Sequence, residues 1–228
     1  MNCFANAASD AALAELLAPR NGVAEPSPGF VARCGTFLER SGWLKSVAGE
    51  ADFAAAAHAL AKALLNKLGI VVSGVSGVGK TAFLKAAFGA SRLGTAFVDL
   101  SDPVEAEKLD ALVWPNYRKQ LLEMHVILDD MGSEARMTNF GQNRELAAEF
   151  VHAYHARGRG RLFVSTNLDG RKFLDRYEER VFTRLMEICV PLKFTGGDKR
   201  TKAAANRGPA ANCGAAANCG PAAKGGAA

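Results

Sequence analysis

A glycine-rich loop between an apolar run and a helix-forming run carries the clearest chemistry in this sequence. Its residues fit the spacing G-x-x-x-x-G-K-[ST] and are Gly74, Val75, Ser76, Gly77, Val78, Gly79, Lys80 and Thr81. Glycines let backbone N–H groups wrap an anion, and the next helix presents its positive end to it. Lys80 is a point charge for terminal phosphates, and the Thr81 hydroxyl is a hard oxygen ligand for Mg²⁺. A plain turn is the alternative, but the flanking strand and helix favour a site for ATP and Mg²⁺.

Two carboxylates follow about fifty residues later, at the end of the apolar run Val126-Ile127-Leu128. Asp129 can hold the shell of a Mg²⁺ ion, and Asp130 can polarise an attacking water. An Asp-rich turn at a strand end is the structural alternative. A further apolar run ends at Asn167, whose uncharged amide can orient water beside a terminal phosphate.

Two later groups of residues are compatible with contacts to other molecules. Arg180 and Arg184 are four residues apart and therefore share a helix face, from which an Arg can stabilise charge on a neighbouring subunit's phosphate. The alternative is a solvated Arg paired with a nearby glutamate. Tyr117, Arg118 and Lys119, after Trp114, combine rings and cations as single-stranded nucleic acid requires, although Trp114 is equally suited to a core.

The elements that must position these residues alternate between strands and helices. Apolar runs predict strands at 70–72, 95–100, 125–130, 161–166 and 189–194. The intervening segments predict helices, including 51–68, 142–157 and two short helices at 169–177 and 178–187. Trp114-Pro115 should interrupt the helical segment 103–124. This alternation predicts an α/β fold with a parallel sheet, whose strand ends gather the ligands.

The chain divides into three parts by composition. Residues 1–50 read as a small helical extension or linker, with helices at 8–17 and 30–44, and we expect it to pack rather than to dock a partner. We expect residues 51–200 to form the domain that binds ATP and hydrolyses it. Residues 201–228 are an Ala/Gly/Asn/Pro segment without bulky apolar residues, and we expect a disordered tail.

Charge and cysteine content limit the classes of protein to consider. Residues 1–150 carry a net charge of −3 and residues 151–228 a net charge of +8, which permits contact with a polyanion. No apolar run is long enough for a membrane span, and no signal peptide is visible. Five cysteines without a C-x-x-C pair favour free thiols in the cytoplasm over disulfides or zinc.

Four segments together resemble one family of ATPases. They are GVSGVGKT, VILDDMGSE, FVSTNLD and ERVFTRLMEI, and they look like the AAA+ ATPases of the DnaC-type helicase-loader group and the related IstB-type transposition helper ATPases. The resemblance spans residues 51–194. It implies a P-loop NTPase with a five-stranded parallel sheet of order 5-1-4-3-2. We expect no C-terminal helical lid after the fifth strand, which is a departure from many AAA+ proteins.

The resemblance also implies roles for individual residues. Lys80 and Thr81 would bind phosphate and Mg²⁺, Asp129 would complete the metal shell, and Asp130 would polarise water. Asn167 matches the first sensor, and Arg184 matches an arginine finger that acts on a neighbouring subunit, with Arg180 as second choice. Such proteins assemble around DNA as homo-oligomers with inter-subunit ATP sites, often beside a replicative helicase, and their segment between the second and third strands often contacts single-stranded DNA.

Three functions remain open at this point. The first is a helicase loader that binds and hydrolyses ATP on single-stranded DNA. The second is a transposition helper that coats duplex DNA. The third, favoured by Asp in place of Glu at position 130 and by the missing lid, is a nucleotide-gated interaction module with little turnover. A small-molecule kinase shares only the loop.

Overall fold

The computed structural model describes residues 22–88, 94–139 and 142–199. The helix predicted at 8–17 and the tail predicted at 201–228 lie outside these residues. In chain order the elements are α1 (Pro28–Arg40), α2 (Lys45–Ala48), α3 (Glu50–Asn66), β1 (Gly69–Ser73), α4 (Lys80–Phe88), β2 (Thr95–Asp99), α5 (Pro103–Glu107), α6 (Pro115–Glu123), β3 (His125–Met131), β4 (Met137–Asn139), β5 (Gln142–Arg144), α7 (Leu146–Arg157), β6 (Leu162–Thr166), α8 (Gly170–Ile188) and β7 (Cys189–Lys193).

The main sheet has five parallel strands in the order β2-β3-β6-β1-β7. Counted along the chain without the small hairpin, these are strands 2-3-4-1-5, which is the predicted order 5-1-4-3-2 viewed from the other edge. Parallel neighbours need long crossover connections, and the helices between the strands supply them. The predicted fold class is confirmed, and the carboxyl ends of β1, β3 and β6 lie side by side.

Two apolar cores cover the two faces of this sheet. Alternation along β1 sends Val71 to one face, against α7 and α8, while Ile70 and Val72 face the other side, against α1, α3 and α4. All three side chains are buried because both faces of the sheet carry helices. The loop that follows β1 is therefore anchored on a rigid strand.

The N-terminal helices pack into the core that contains Ile70 and Val72 rather than standing apart from it. Trp43 stacks on Phe53 and on Phe194, with ring centroids 5.5 Å and 5.6 Å apart, and contacts Phe83 at 5.2 Å. Aromatic pairs at such separations are favourable beyond the area that they bury. Residues 28–48 thus share a core with β1, α3 and α4.

The main difference from prediction lies between β3 and α7. The helix predicted from residue 142 begins at Leu146, because Gln142–Arg144 pairs antiparallel with Met137–Asn139 as a short hairpin. That pairing gives the backbone hydrogen bonds that a helix would otherwise have provided. Elsewhere the predicted interruptions are confirmed. A break follows α5 before α6 begins at Pro115, and α8 is kinked at Glu178, whose φ is 67°.

None of the helices in residues 22–88, 94–139 and 142–199 is long and apolar enough to cross a membrane.

Candidate functional site

The predicted phosphate loop connects the end of β1 to the first turn of α4. Gly77 (φ +76°) and Gly79 (φ +106°) adopt backbone conformations that side chains disfavour, so the loop depends on glycine at these positions. Between them Val78 is fully buried and anchors the loop, whereas Val75 and Ser76 are exposed. The loop is thus anchored by one buried side chain and is open to solvent at Val75 and Ser76.

Lys80 lies at the start of α4 and is buried, with 4% of its surface exposed. Its Nζ donates to the carbonyl oxygens of Gly74 (2.9 Å) and Val75 (3.0 Å) and to Oδ1 of Asn167 (2.6 Å). A buried ammonium needs such oxygen partners, and a phosphate oxygen is one of the same kind. Lys80 therefore connects the glycine-rich loop with Asn167, which follows β6.

Thr81 and Asp129 meet across the ends of α4 and β3. The Thr81 Oγ1 lies 2.9 Å from both carboxylate oxygens of Asp129, which is 5% exposed. A hydroxyl and a carboxylate are the hard oxygen donors that Mg²⁺ prefers. The donor set fits the metal that the sequence predicts at these two residues.

A bulge in β3 presents the two acids. Leu128 pairs with Val164 and Met131 with Thr166, so β3 has one more residue than β6 between these pairs. Ser165 is fully buried opposite the bulge; its Oγ accepts from the Asp130 N–H (2.8 Å) and donates to Asp129 Oδ1 (2.5 Å). One serine thus holds both acids, and it turns them toward the same edge of the sheet.

Asp130 occupies a strained position beside Lys80 and Asn167. Its φ of 55° lies in the left-handed region, which is uncommon for residues other than glycine and costs conformational energy. Asn167 Nδ2 donates to Asp130 Oδ1 at 3.2 Å, while the amide oxygen of Asn167 accepts from Lys80. Burial, and then the neighbouring charge of Asp129, raise the pKa of Asp130 above its ordinary value. A carboxylate with a raised pKa and an amide beside it can hold and polarise a water.

The two predicted finger arginines differ in their surroundings on α8. Arg180 is exposed, whereas Arg184 is half-buried, with its Nη1 2.6 Å from Nδ1 of His152 on α7. Because a guanidinium only donates, His152 must accept through Nδ1. Burial, and then the charge of Arg184, lower the pKa of His152, in keeping with a neutral ring.

The three residues predicted to contact DNA differ in their exposure. Arg118 points inward and donates from Nη2 to the carbonyl oxygen of Glu149 at 2.9 Å. Tyr117 is half-buried against the core that contains Val71. Lys119 and Trp114 are exposed. Of the predicted trio, Lys119 is exposed, whereas Tyr117 and Arg118 are partly buried.

A buried cluster behind the site was missed by sequence reasoning. Glu134 accepts from the Gly132 N–H (2.8 Å) and from the Tyr177 hydroxyl, and Arg176 donates to the carbonyl oxygens of Gly132 (2.9 Å) and Glu134 (2.5 Å). Burial, and then Glu134, raise the pKa of Tyr177. The cluster fastens the turn after Asp130 to α8. Glu134 lies in the segment VILDDMGSE, but that local sequence does not predict which residues Glu134 contacts.

Comparisons with known proteins add two similarities of fold. No family model matches the sequence, and no curated protein matches it. A solved structure of the DnaC helicase loader is similar with 24% identity and a TM-score of 0.45, covering 56% of this chain and 78% of that one. A solved DNA replication initiation factor is similar with 19% identity and a TM-score of 0.47, covering 66% of this chain and 49% of that chain, about half its length. Both similarities concern the fold.

Proposed function

We propose that this protein binds ATP with Mg²⁺ and hydrolyses the ATP. The observation that carries the proposal is the meeting of three distant segments at one edge of the sheet. Thr81 lies against Asp129, and Asn167 lies between Lys80 and Asp130. A cation, a metal-binding pair and a water-polarising pair in contact with a phosphate loop match the needs of phosphoryl transfer to water.

Each residue has a distinct task in this proposal. Lys80 exchanges backbone partners for terminal phosphate oxygens, and Thr81 and Asp129 hold the metal, which when bound neutralises charge on the phosphates. Asp130 accepts a proton from the attacking water, which Asn167 orients. Ser165 keeps Asp129 and Asp130 at a fixed separation, since its hydroxyl contacts both residues.

We further propose that the protein acts in the cytoplasm as a DNA-associated AAA+ ATPase of replication, of the helicase-loader type. The support is the series of four motifs, the exposed Arg180 on α8, the exposed Lys119 on α6 and the basic residues 151–228. In this proposal, copies of the chain assemble on single-stranded DNA, and an arginine from one copy completes the ATP site of the next. A replicative helicase is the proposed partner.

The deciding experiment is ATP turnover by the purified protein over a range of protein concentrations, with and without single-stranded DNA. The proposal predicts that turnover per subunit rises with both, because the site is shared between subunits. Duplex DNA at matched length is the control. Stimulation by duplex alone would favour the transposition-helper function. Binding of ATP without turnover under any of these conditions would favour the nucleotide-gated module.

A mixing experiment tests the shared site. Arg184→Ala and Asp130→Asn proteins should each lose most turnover, yet a mixture should regain part of it. In the mixture, an intact Arg184 faces an intact Asp130 at some interfaces. Arg180→Ala, mixed in the same way, decides which arginine acts. No recovery with either arginine would exclude an inter-subunit finger.

A further inference from the structure

The chain beyond β7 runs along the phosphate loop. The Phe194 N–H donates to the carbonyl oxygen of Ser73 at 2.9 Å, and the Lys199 N–H donates to that of Gly77 at 3.2 Å. Both partners belong to the end of β1 and the loop after it. We call residues 195–199 the strap, because they connect these two backbone contacts.

Asp198 brings a carboxylate directly against the loop. A side-chain carbon added at Gly77 would lie 1.9 Å from Oδ1 and 2.4 Å from Cγ of Asp198, far inside contact distance. The carboxylate therefore packs against the bare backbone of Gly77. This places a negative charge on a loop whose proposed ligands are themselves negatively charged phosphates.

The strap is also held from the side of the N-terminal helices. The buried carboxylate of Asp52 accepts from the N–H (2.9 Å) and hydroxyl (3.1 Å) of Thr195 and from the Gly196 N–H (3.0 Å). The Lys199 Nζ donates to the carbonyl oxygen of Ala48 at 3.1 Å. The strap is thus fixed to α2 and α3 as well as to the loop, with Asp198 between the two attachments.

We propose that the strap is an autoinhibitory element and that Asp198 opposes the binding of nucleotide phosphates at the loop. This inference rests on the nucleotide site proposed above. Like charges repel, so phosphates at the loop must move Asp198 away or bind against its charge. Because Lys199 connects Gly77 to Ala48, displacement of the strap also alters a contact with α2. Nucleotide binding is thereby coupled to the N-terminal helices.

The test compares ATP binding by the wild type and by Asp198→Asn, which keeps the size of the side chain and removes its charge. We expect Asp198→Asn to bind ATP about tenfold more tightly at low salt, with the difference shrinking as salt screens the charge. Asp175→Asn removes an exposed carboxylate from α8 and is the matched control, with wild-type affinity expected. Equal affinity of Asp198→Asn and wild type, or weaker binding by the variant, overturns the inference.

Hydrogen exchange of the strap amides gives a second readout. The N–H groups of Thr195, Gly196 and Lys199 donate hydrogen bonds, so they should exchange slowly and become faster when ATP is added. Unchanged exchange at saturating ATP contradicts displacement of the strap. If neither the wild type nor Asp198→Asn binds ATP, the nucleotide proposal itself fails. If both bind equally, only the autoinhibitory role fails.

Discussion

The proposed nucleotide site and the α6 segment differ in how sequence distance relates to distance in space. Lys80 and Asn167 are 87 positions apart, yet their polar atoms lie 2.6 Å from each other. Arg118 and Lys119 are adjacent, yet one donates to a carbonyl oxygen of α7 and the other is exposed. Parallel strands bring their carboxyl ends to one edge, whereas successive residues of a helix point about 100° apart.

This difference shows which kind of sequence motif predicts that its residues lie together in space. A strand-end motif is positioned by the hydrogen bonds of the sheet, so its residues converge whenever the strand order is right. A cluster of cations in a short helix is positioned only by what the helix packs against, and spacing alone does not reveal that. The following variants test this contrast.

Among these variants, Lys80→Ala should have the largest effect on the proposed nucleotide site. The variant removes the cation that holds Asn167 and that is proposed to bind phosphate. We expect ATP affinity to fall by about 100-fold, the value of one charged hydrogen-bond partner, in a titration with fluorescent nucleotide. Lys85→Ala, on the exposed side of the same helix, is the control and should bind normally. Normal ATP binding by Lys80→Ala would contradict the proposal that this buried lysine binds phosphate.

Asp130→Asn should lose turnover and keep nucleotide binding. Removal of a general base lowers the rate about 10²- to 10⁴-fold, measurable by phosphate release. The variant should also unfold at a higher temperature at pH 7. Because the pKa of Asp130 is raised in the folded protein, its ionised form lowers stability as pH rises through that pKa. Lower thermal stability of the variant would contradict this electrostatic account.

The same pKa predicts a pH profile for the wild type. Turnover should fall as the pH is lowered through the pKa of Asp130, because the protonated acid cannot accept a proton from water. The raised pKa places this fall above the range of an ordinary aspartate, whose reference value is 3.8. A turnover rate that stays flat down to that range would exclude Asp130 as the base.

Ser165→Ala tests whether the bulge is held by side chains. It leaves the Asp130 N–H and an Asp129 oxygen without their buried partner, which costs about 1–3 kcal/mol of unfolding free energy. Turnover should fall more than ATP affinity, because the acids lose their positions. Denaturant unfolding and single-turnover kinetics measure the two effects. Ser41→Ala, at an exposed serine that follows α1, is the control.

The smallest effects are expected in α6. Lys119→Ala should weaken binding of single-stranded DNA a few-fold and reduce its salt dependence by about one phosphate contact. Arg118→Ala should leave DNA affinity unchanged and lower the unfolding free energy by about 1 kcal/mol, because the lost partner is the carbonyl oxygen of Glu149. Fluorescence anisotropy measures DNA affinity and denaturant unfolding measures stability, so the two methods together distinguish the two variants. Equal loss of DNA affinity in both variants would support the predicted DNA contact by Tyr117, Arg118 and Lys119.

Most of the fold could be predicted because its signals are local. The five apolar runs predicted strands, and the resemblance supplied their order. Pro115 and Glu178 mark helix breaks where they were predicted. The antiparallel pair of residues 137–139 and 142–144 was missed because three-residue strands produce no periodicity. The helix predicted there ran four residues too far toward its N-terminus.

The sequence by itself determined the parallel sheet, the phosphate loop and the types of residue at the ends of β1, β3 and β6. These follow from apolar periodicity and from the backbone needs of glycine, which act over a few residues. The tertiary structure alone decided that Ser165 holds both acids, that Arg118 faces inward and that Asp198 lies on Gly77. These contacts join distant segments, and they depend on how the elements pack rather than on any local preference of the chain.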